Sequence, residues 1–208
     1  MTPMPLSKKY EILVASADLA FREMRSQYPS CVTCAPHCSD CCHAVFGLFL
    51  IEAAHMRFHF EELTEKEKRR TVSRAAEAEK EMERIIEETR RGKELQGSFL
   101  PEKARVRCPL LNEADECVLY SYRPLTCRVY GIPTAIKGNA RVCWKTKFNK
   151  DKTYPVFNLD EANRKLYQLS MEFLKQAGGS DPSKAGFLVS VSKVITASMD
   201  DLIKQVFL

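Results

Sequence analysis

Hydrophobic residues near the start of the chain recur at every third or fourth position, the spacing that gives an α-helix one apolar face. This face comprises Leu6, Tyr10, Leu13, Ala17, Phe21, Met24 and Tyr28. Pro29 follows directly, and proline is poorly tolerated inside a helix. The pattern therefore predicts an amphipathic helix over residues 6–28.

A second amphipathic helix is predicted near the end of the chain, over residues 160–177. Its apolar positions are Ala162, Leu166, Leu169, Phe173 and Ala177. Two glycines follow it, and glycine commonly ends a helix. A final short helix is predicted around Leu202, Ile203 and Val206.

The middle of the chain contains a long charged helix, predicted over residues 64–92. Thr64 and Glu67 have the spacing of a capping box at its start, and Gly92 follows its last turn. Its apolar side is formed by Val72, Ala75, Ala76, Met82, Ile85 and Ile86. Residues 45–56 fit either a short strand followed by a helix or one buried helix, because periodicity does not separate these alternatives in a short apolar run.

The pattern changes again between residues 105 and 144. Apolar residues flank the turn-forming residues 112–116, which predicts a small hairpin or a pair of irregular strands. With 208 residues, of which 45% are hydrophobic, the chain can bury a substantial core. We therefore predict a single compact α+β domain over residues 1–208. It should be mainly α-helical, with an irregular cysteine-rich metal-binding core over about residues 31–144 and the two amphipathic helices on its flanks.

Charge and hydropathy argue against several classes of function. The 32 basic and 27 acidic residues leave a net charge of only +5, which does not indicate nucleic-acid binding. No apolar stretch approaches the roughly 20 residues of a membrane helix, and Lys8, Lys9 and Glu11 interrupt any signal-peptide core. We expect a cytoplasmic protein without membrane or nucleic-acid partners. Its partner would be a protein or small-molecule substrate that the sequence does not identify.

Nine cysteines change this picture, because that number is unusual for a chain expected in a reducing compartment. Five lie within a short polar loop, at Cys31, Cys34, Cys38, Cys41 and Cys42. Gaps of two or three residues let one loop direct several sulfur atoms at an ion or a cluster. Free cysteines also serve as small core residues, but this alternative suits one cysteine better than five in a polar loop.

Four further cysteines lie in the middle of the chain, at Cys108, Cys117, Cys127 and Cys143. Short turns could gather them, because no more than sixteen positions separate successive members. Arg123 and Arg128 lie on either side of Cys127 and are candidates for binding an anionic group of a cofactor or substrate. The alternative role for both arginines is packing and charge balance beside the cysteines.

Two histidines, His55 and His59, have the four-residue spacing that places side chains on one face of a helix. Such a pair can bind a metal, but no third ligand is evident in the sequence. We therefore favour a surface or core role for both histidines.

The order of these motifs resembles that of the YkgJ-type cysteine cluster family, which is associated with zinc or iron chelation. The matching motifs are Cys34-x3-Cys38-x2-Cys41-Cys42, Cys108-Pro109-Leu110-Leu111, Cys117, Arg123-Pro124-x2-Cys127-Arg128-x-Tyr130-Gly131 and Cys143. The resemblance implies that the metal ligands are Cys34, Cys38, Cys41, Cys42, Cys108, Cys117, Cys127 and Cys143. It leaves Cys31 outside the pattern. A similar cluster occurs in flagellin lysine methylases, where it is associated with an iron–sulfur centre and S-adenosylmethionine chemistry.

The choice of metal rests on ligand geometry. Structural zinc takes four ligands around one ion, and the adjacent Cys41 and Cys42 would be awkward neighbours on one tetrahedron. A larger cluster, or two sites, accommodates them better. We therefore expect an iron–sulfur cluster of the 4Fe-4S kind, with zinc as the alternative.

Two classes of function correspond to these metals. The first is an enzyme or enzyme component in redox chemistry or S-adenosylmethionine-linked methyl transfer, acting in the modification of a protein or peptide. The second is a non-catalytic zinc- or iron-binding protein with a structural or carrier role. An open coordination position would favour catalysis, whereas a closed site would favour structure or electron transfer.

Overall fold

Helices dominate the structure, a computed structural model that describes residues 4–92, 104–178 and 182–207. A small sheet accompanies the helices, so the predicted mainly helical α+β class is confirmed. The α-helices are α1 (Met4–Gln27), α2 (Leu50–Glu61), α3 (Glu65–Gly92), α4 (Leu125–Val129), α5 (Leu159–Gln176), α6 (Val191–Thr196) and α7 (Met199–Phe207). Short 3-10 helices cover Asp40–His43, Tyr120–Tyr122 and Pro182–Gly186. None of the helices in these ranges has the length and apolar character needed to span a membrane.

A three-stranded sheet follows α4, with strand order β2-β1-β3. The central strand β1 (Thr134–Ile136) pairs antiparallel with β2 (Asn139–Arg141) and parallel with β3 (Phe157–Asn158). Lys137 and Gly138 connect β1 to β2, and their φ angles of 51° and 73° lie in the left-handed region that tight hairpin turns require. Strands of two or three residues are too short for an alternating pattern, so the sequence did not predict this sheet.

The structure confirms the two predicted amphipathic helices. The buried side chains of α1 include Leu6, Tyr10, Leu13, Ala17 and Met24. Those of α5 include Ala162, Leu166, Leu169 and Phe173. The side chain of Asn158 caps α5 by accepting the N–H of Glu161 at 3.0 Å. Together with residues of α2 and α4, these faces form the first core.

Helix α3 begins at Glu65, as the capping box predicted, and it buries Ala75 as expected, but two other positions of the expected face are not covered. The Thr64 hydroxyl accepts the N–H of Glu67 at 3.3 Å. Val72 and Ala76 are exposed, so their predicted place on the apolar side is wrong. The buried positions are Thr71, Ala75 and Ala78. The main partner of α3 is α6, a helix that the sequence did not predict, and this partner determines which face is covered.

Residues 45–56 form an extended segment followed by a helix, which is close to the first of the two alternatives. Leu48 makes an isolated bridge with Val189, and α2 begins at Leu50. One side of α2 contacts the first core through Leu50, Ile51 and Ala54. Another side contacts a second core through Ala53, Met56 and Phe60. Burial on two sides explains why this stretch shows no single apolar face.

The second core contains residues of α2, α3, α6 and α7 together with Leu110 and Leu119. Cysteines contact both cores. Cys34 packs against the first core, whereas Cys108 and Cys117 pack against the second. The fold therefore places the cysteine segments where the two cores approach one another.

A buried carboxylate joins α2 to α4. Glu52 is 4% exposed, and its carboxylate accepts the N–H of Phe49 at 3.1 Å and the N–H of Leu125 at 3.0 Å. Burial raises the pKa of Glu52 to about 7, although the two hydrogen bonds favour the ionised form. Glu52 therefore fixes the first turn of the helix that carries Cys127.

We predict that Glu52 makes folding stability depend on pH. In the unfolded chain this carboxyl ionises near its ordinary pKa of 4.5, whereas the folded chain retains the proton up to about pH 7. The folded state binds more protons in this interval, so the free energy of unfolding should fall as pH rises through it, by on the order of 3 kcal/mol. In urea unfolding, the free energy of unfolding of Glu52→Gln should vary less with pH than that of the wild type. Glu77→Gln, on the exposed side of α3, is the control, and an undiminished slope in Glu52→Gln would contradict the prediction.

Candidate metal centre

The loop after α1 carries five cysteines and ends in the 3-10 helix Asp40–His43. His37 has a left-handed backbone, with φ of 63°. The N–H of Cys38 closes a turn by donating to the backbone carbonyl oxygen of Ala35, three residues earlier, at 3.0 Å. A 3-10 helix has about three residues per turn, so the adjacent Cys41 and Cys42 project in different directions. The loop therefore distributes its sulfur atoms over more than one side.

The backbone attaches the next cysteine segment to this loop. The N–H of Cys108 donates to the carbonyl oxygen of Cys42 at 2.7 Å. Leu111 and Cys117 form an isolated bridge that closes the turn at residues 112–116, which confirms the predicted irregular pairing. These contacts bring the segments that carry Cys42, Cys108 and Cys117 together.

The short helix α4 supplies Cys127. Leu125 and Val129 on the same helix are buried in the first core, and they hold the helix in place. Glu52 fixes its first turn through the N–H of Leu125. Cys127 lies between these anchors and is partly buried.

A buried carboxylate positions the last cysteine of the set. Asp40 is 5% exposed, and Cys143 Sγ lies 3.3 Å from its Oδ2, while Arg105 and Trp144 donate to its Oδ1 at 2.8 Å and 3.2 Å. Burial would raise the pKa of Asp40, but these hydrogen bonds and the Arg105 charge outweigh it and lower the pKa. Sequence reasoning missed Asp40. The available signal was an acidic residue inside the cysteine loop.

Two adjoining cavities meet at the cysteines. Both are lined by Cys41, Cys42, Cys117 and Cys127. The larger cavity, of about 530 Å³, is also lined by Cys34, Cys38 and Cys143 and is called here the outer cavity. The smaller cavity, of about 290 Å³, is also lined by Cys108 and is called here the inner cavity. The structure thus gathers all eight cysteines of the predicted set, called here the cavity cysteines, whereas Cys31 lines neither cavity.

The sulfur atoms lie around the two cavities and do not converge on one point. All nine cysteines are free thiols. In the part of the chain that the structure describes, no group of three His, Cys, Asp or Glu side chains is close enough to hold a single metal ion. An all-thiol donor set fits both zinc and iron–sulfur clusters chemically. Its spread around two cavities fits a cluster, or more than one centre, better than a single ion.

Burial and mutual repulsion make most of these thiols hard to ionise. Burial is the main cause that raises the pKa of Cys108 to about 12, and neighbouring cysteines add to it. The pKa of Cys127 is raised for the same reasons. Cys41 differs from Cys108 and Cys127, because a hydrogen bond from Cys42 lowers its pKa and the charge of Arg123 contributes in the same direction. Several of these thiols can become thiolates together only when a cation lies between them.

Arg128 is committed to contacts within the protein. It is 6% exposed, and its three nitrogen atoms donate to Asp18 Oδ2 at 2.6 Å and to the carbonyl oxygens of Ser121 at 2.6 Å and Arg123 at 2.9 Å. These bonds fix the backbone before and at the start of α4. Arg128 also lines the outer cavity, so its predicted role in cofactor binding stays a prediction.

Arg123 faces the cysteines more directly. Its guanidinium lies over the Tyr120 ring at 4.0 Å from the centroid and donates to the Tyr120 carbonyl oxygen at 2.8 Å. Arg123 lines both cavities, and its charge lowers the pKa of Cys41 and opposes the rise in the pKa of Cys117. Arg123 also lies 3.8 Å from Asp18 Oδ1, and its side chain is a cation that lies beside the cysteines of both cavities.

The paired histidines lie apart from the cysteines in an aromatic cluster. His59 stacks on Tyr122 with ring centroids 3.5 Å apart, and its Nδ1 lies 2.7 Å from Glu62 Oε2. His55 packs between His59 and Tyr10. Burial lowers the pKa of His55 to about 4, and electrostatic interaction with the neighbouring His59 adds to the shift. These contacts agree with the packing role that the sequence favoured.

Comparison with known protein families agrees with the cysteine pattern. A family model named CxxCxxCC and described as "Putative zinc- or iron-chelating domain" matches residues 33–144, more than half of the chain. The protein therefore belongs to the CxxCxxCC family, and the relationship expected from its motifs is confirmed. The match supports metal binding. No curated protein and no solved structure matches the chain.

Gly131 lies directly against a cavity cysteine. A Cβ atom at this position would lie 2.1 Å from Cys34 Sγ, far inside van der Waals contact. The absence of a side chain here leaves room for the sulfur atom of Cys34 at the wall of the outer cavity.

We predict that Gly131→Ala displaces Cys34 and impairs metal binding. Overpacking of this kind should lower the free energy of unfolding by about 1–3 kcal/mol, and the metal-to-protein ratio should fall. Gly186→Ala is the matched control, because its Cβ would meet nothing closer than Tyr167 at 3.7 Å. Metal analysis and thermal unfolding of both variants provide the measurement. A wild-type metal content in Gly131→Ala would contradict the placement of Cys34 in the site.

Proposed function

We propose that the chain is an iron–sulfur protein in which the eight cavity cysteines ligate the metal. We further propose that it is an enzyme or enzyme component in redox chemistry or S-adenosylmethionine-linked methyl transfer, acting in the modification of a protein or peptide. The observation that carries the proposal is the collection of eight free thiols from four separate segments around two adjoining cavities.

The number and distribution of sulfur atoms support a cluster over one zinc ion. Structural zinc is closed by four ligands at about 2.0–2.3 Å from one point. The cavity cysteines number twice that, and they line a combined space far larger than one ion. A cluster of iron and sulfide is itself several ångströms wide, so its thiolate ligands lie around a volume.

The charges around the site support a role in catalysis. A thiolate-ligated cluster carries net negative charge and supplies electron transfer or an iron that binds a cofactor. Arg123 lines both cavities, and the outer cavity is also lined by Arg25 and Arg128. These cations can balance thiolate charge, and Arg123 can orient the carboxylate of S-adenosylmethionine beside the cysteines.

A non-catalytic zinc- or iron-binding role is the second candidate, and Arg128 favours it. All three nitrogen atoms of its guanidinium bind groups of the protein itself, as expected of a residue that maintains structure. The cysteine segments also contact both cores, so a metal could serve mainly to join them. In either case, nine free thiols support a reducing compartment, which we propose to be the cytoplasm.

Purification without oxygen separates the two candidates. We predict a brown protein that contains iron and acid-labile sulfide in equal amounts, with the absorption of a thiolate-ligated cluster. Alanine substitution of Cys34, Cys38, Cys108 and Cys117 together should abolish the colour, whereas Cys31→Ala should retain it. A colourless protein that contains zinc in place of iron would reject the iron–sulfur assignment and leave the second candidate.

We predict that Arg123→Ala weakens binding of S-adenosylmethionine to the anaerobic, metal-loaded protein. Loss of a charge-assisted hydrogen bond should reduce the affinity by about 10-fold or more. The control is Arg84→Ala, because Arg84 lies on the exposed face of α3 and its ion pairs are local to that helix. Calorimetric titration measures the affinity. Equal affinity in wild type and Arg123→Ala, at equal metal content, would remove Arg123 from cofactor binding.

A further inference from the structure

We propose that the cavity cysteines form two separate four-thiolate metal centres. The inner centre is ligated by Cys42, Cys108, Cys117 and Cys127. The outer centre is ligated by Cys34, Cys38, Cys41 and Cys143. This inference rests on the proposed metal-binding function and specifies how the ligands are divided.

The first support is the division of the cysteines between the cavities. Cys108 lines only the inner cavity, whereas Cys34, Cys38 and Cys143 line only the outer cavity. The other four, Cys41, Cys42, Cys117 and Cys127, line both cavities. A single centre would require the sulfur atom of Cys108 and those of the three cysteines found only in the outer cavity to reach one point. Two centres require only that each set close around its own cavity.

The second support is the pattern of backbone contacts on the inner side. The N–H of Cys108 donates a hydrogen bond to the carbonyl oxygen of Cys42 at 2.7 Å. The bridge between Leu111 and Cys117 folds Cys117 back beside Cys108. Cys108 and Cys117 also pack against the same core, the second one. These contacts join three inner ligands without involving the outer set.

Cys127 completes the inner set. Cys127 lines the inner cavity together with Cys42, Cys108 and Cys117. Like Cys42 and Cys117, it also borders the outer cavity. The inner centre would therefore draw ligands from the early loop, the hairpin and α4.

The outer set is joined by a different group of contacts. The Thr33 hydroxyl donates to the Lys145 carbonyl oxygen at 3.0 Å, which attaches the start of the early loop to the segment that follows Cys143. Asp40 holds Cys143 through a 3.3 Å contact with its sulfur atom. Cys34 packs against the first core, whereas Cys108 and Cys117 pack against the second.

The pair Cys41-Cys42 lies where the two centres meet. Both residues line both cavities, and the 3-10 helix turns consecutive side chains by about a third of a turn. One residue can therefore ligate each centre. This division gives four thiolates to each, the number that closes a zinc site or a 4Fe-4S cluster.

Selective removal of two ligands from each set tests the division. Wild type, Cys34→Ala/Cys38→Ala and Cys108→Ala/Cys117→Ala would be purified without oxygen and reconstituted with ferrous iron and sulfide. We expect each double variant to retain about half of the wild-type iron, and the combined variant to retain almost none. Cys31→Ala is the control and should retain all of it. If the protein takes up zinc in place of iron, the same halving is expected.

Loss of all metal from either double variant that keeps wild-type helical content would overturn the division, because one centre would then use both sets.

Electron paramagnetic resonance of fully reduced wild type gives a test that does not depend on the folding of a variant. Two neighbouring reduced clusters should give a signal broadened by spin interaction, whereas one simple signal that accounts for all the iron would reject two centres. If the wild-type protein binds only one metal centre, this inference fails and the proposed function stands. If the wild-type protein binds no metal, both fail.

Discussion

Thiolates placed close together repel one another, and this chain gathers eight cysteine side chains around two adjoining cavities. Burial already makes thiols such as Cys108 and Cys127 hard to ionise, and each neighbouring thiolate makes them harder still. Metal ligation needs the thiolate form, so protons must leave these groups when a cation enters. The arrangement therefore carries an electrostatic cost that a bound metal offsets, and the surrounding structure reflects this constraint.

Several features of the fold can be understood from that constraint. Asp40 holds Cys143 on one side, and Arg123 presents its positive charge to both cavities on the other. Gly131 leaves space for Cys34. The cysteines also contact both cores, so whatever binds them links the two halves of the hydrophobic interior. Ligation and packing are thus coupled through a small number of short segments.

The sequence predicted the long helices well, because their apolar positions recur over many turns. It misplaced Val72 and Ala76 on the buried face of α3, since burial there is decided by contact with α6, a six-residue helix too short to leave a periodic signal. The small sheet was missed for the same reason. The eight cysteines that line the cavities are those that the family resemblance implied as ligands, and their role as ligands stays a prediction. Their division between two cavities could not be predicted from the sequence, because it depends on long-range contacts such as the hydrogen bond from Cys108 to Cys42.

We propose that metal ligation by the cavity cysteines holds the two cores together. The decisive experiment is thermal unfolding of metal-loaded and metal-free protein, compared without oxygen and with reduced thiols. Removal of the metal should lower the unfolding temperature by about 10 °C or more, since ligation contributes several kcal/mol to the folded state alone. Equal unfolding temperatures with and without bound metal would contradict it.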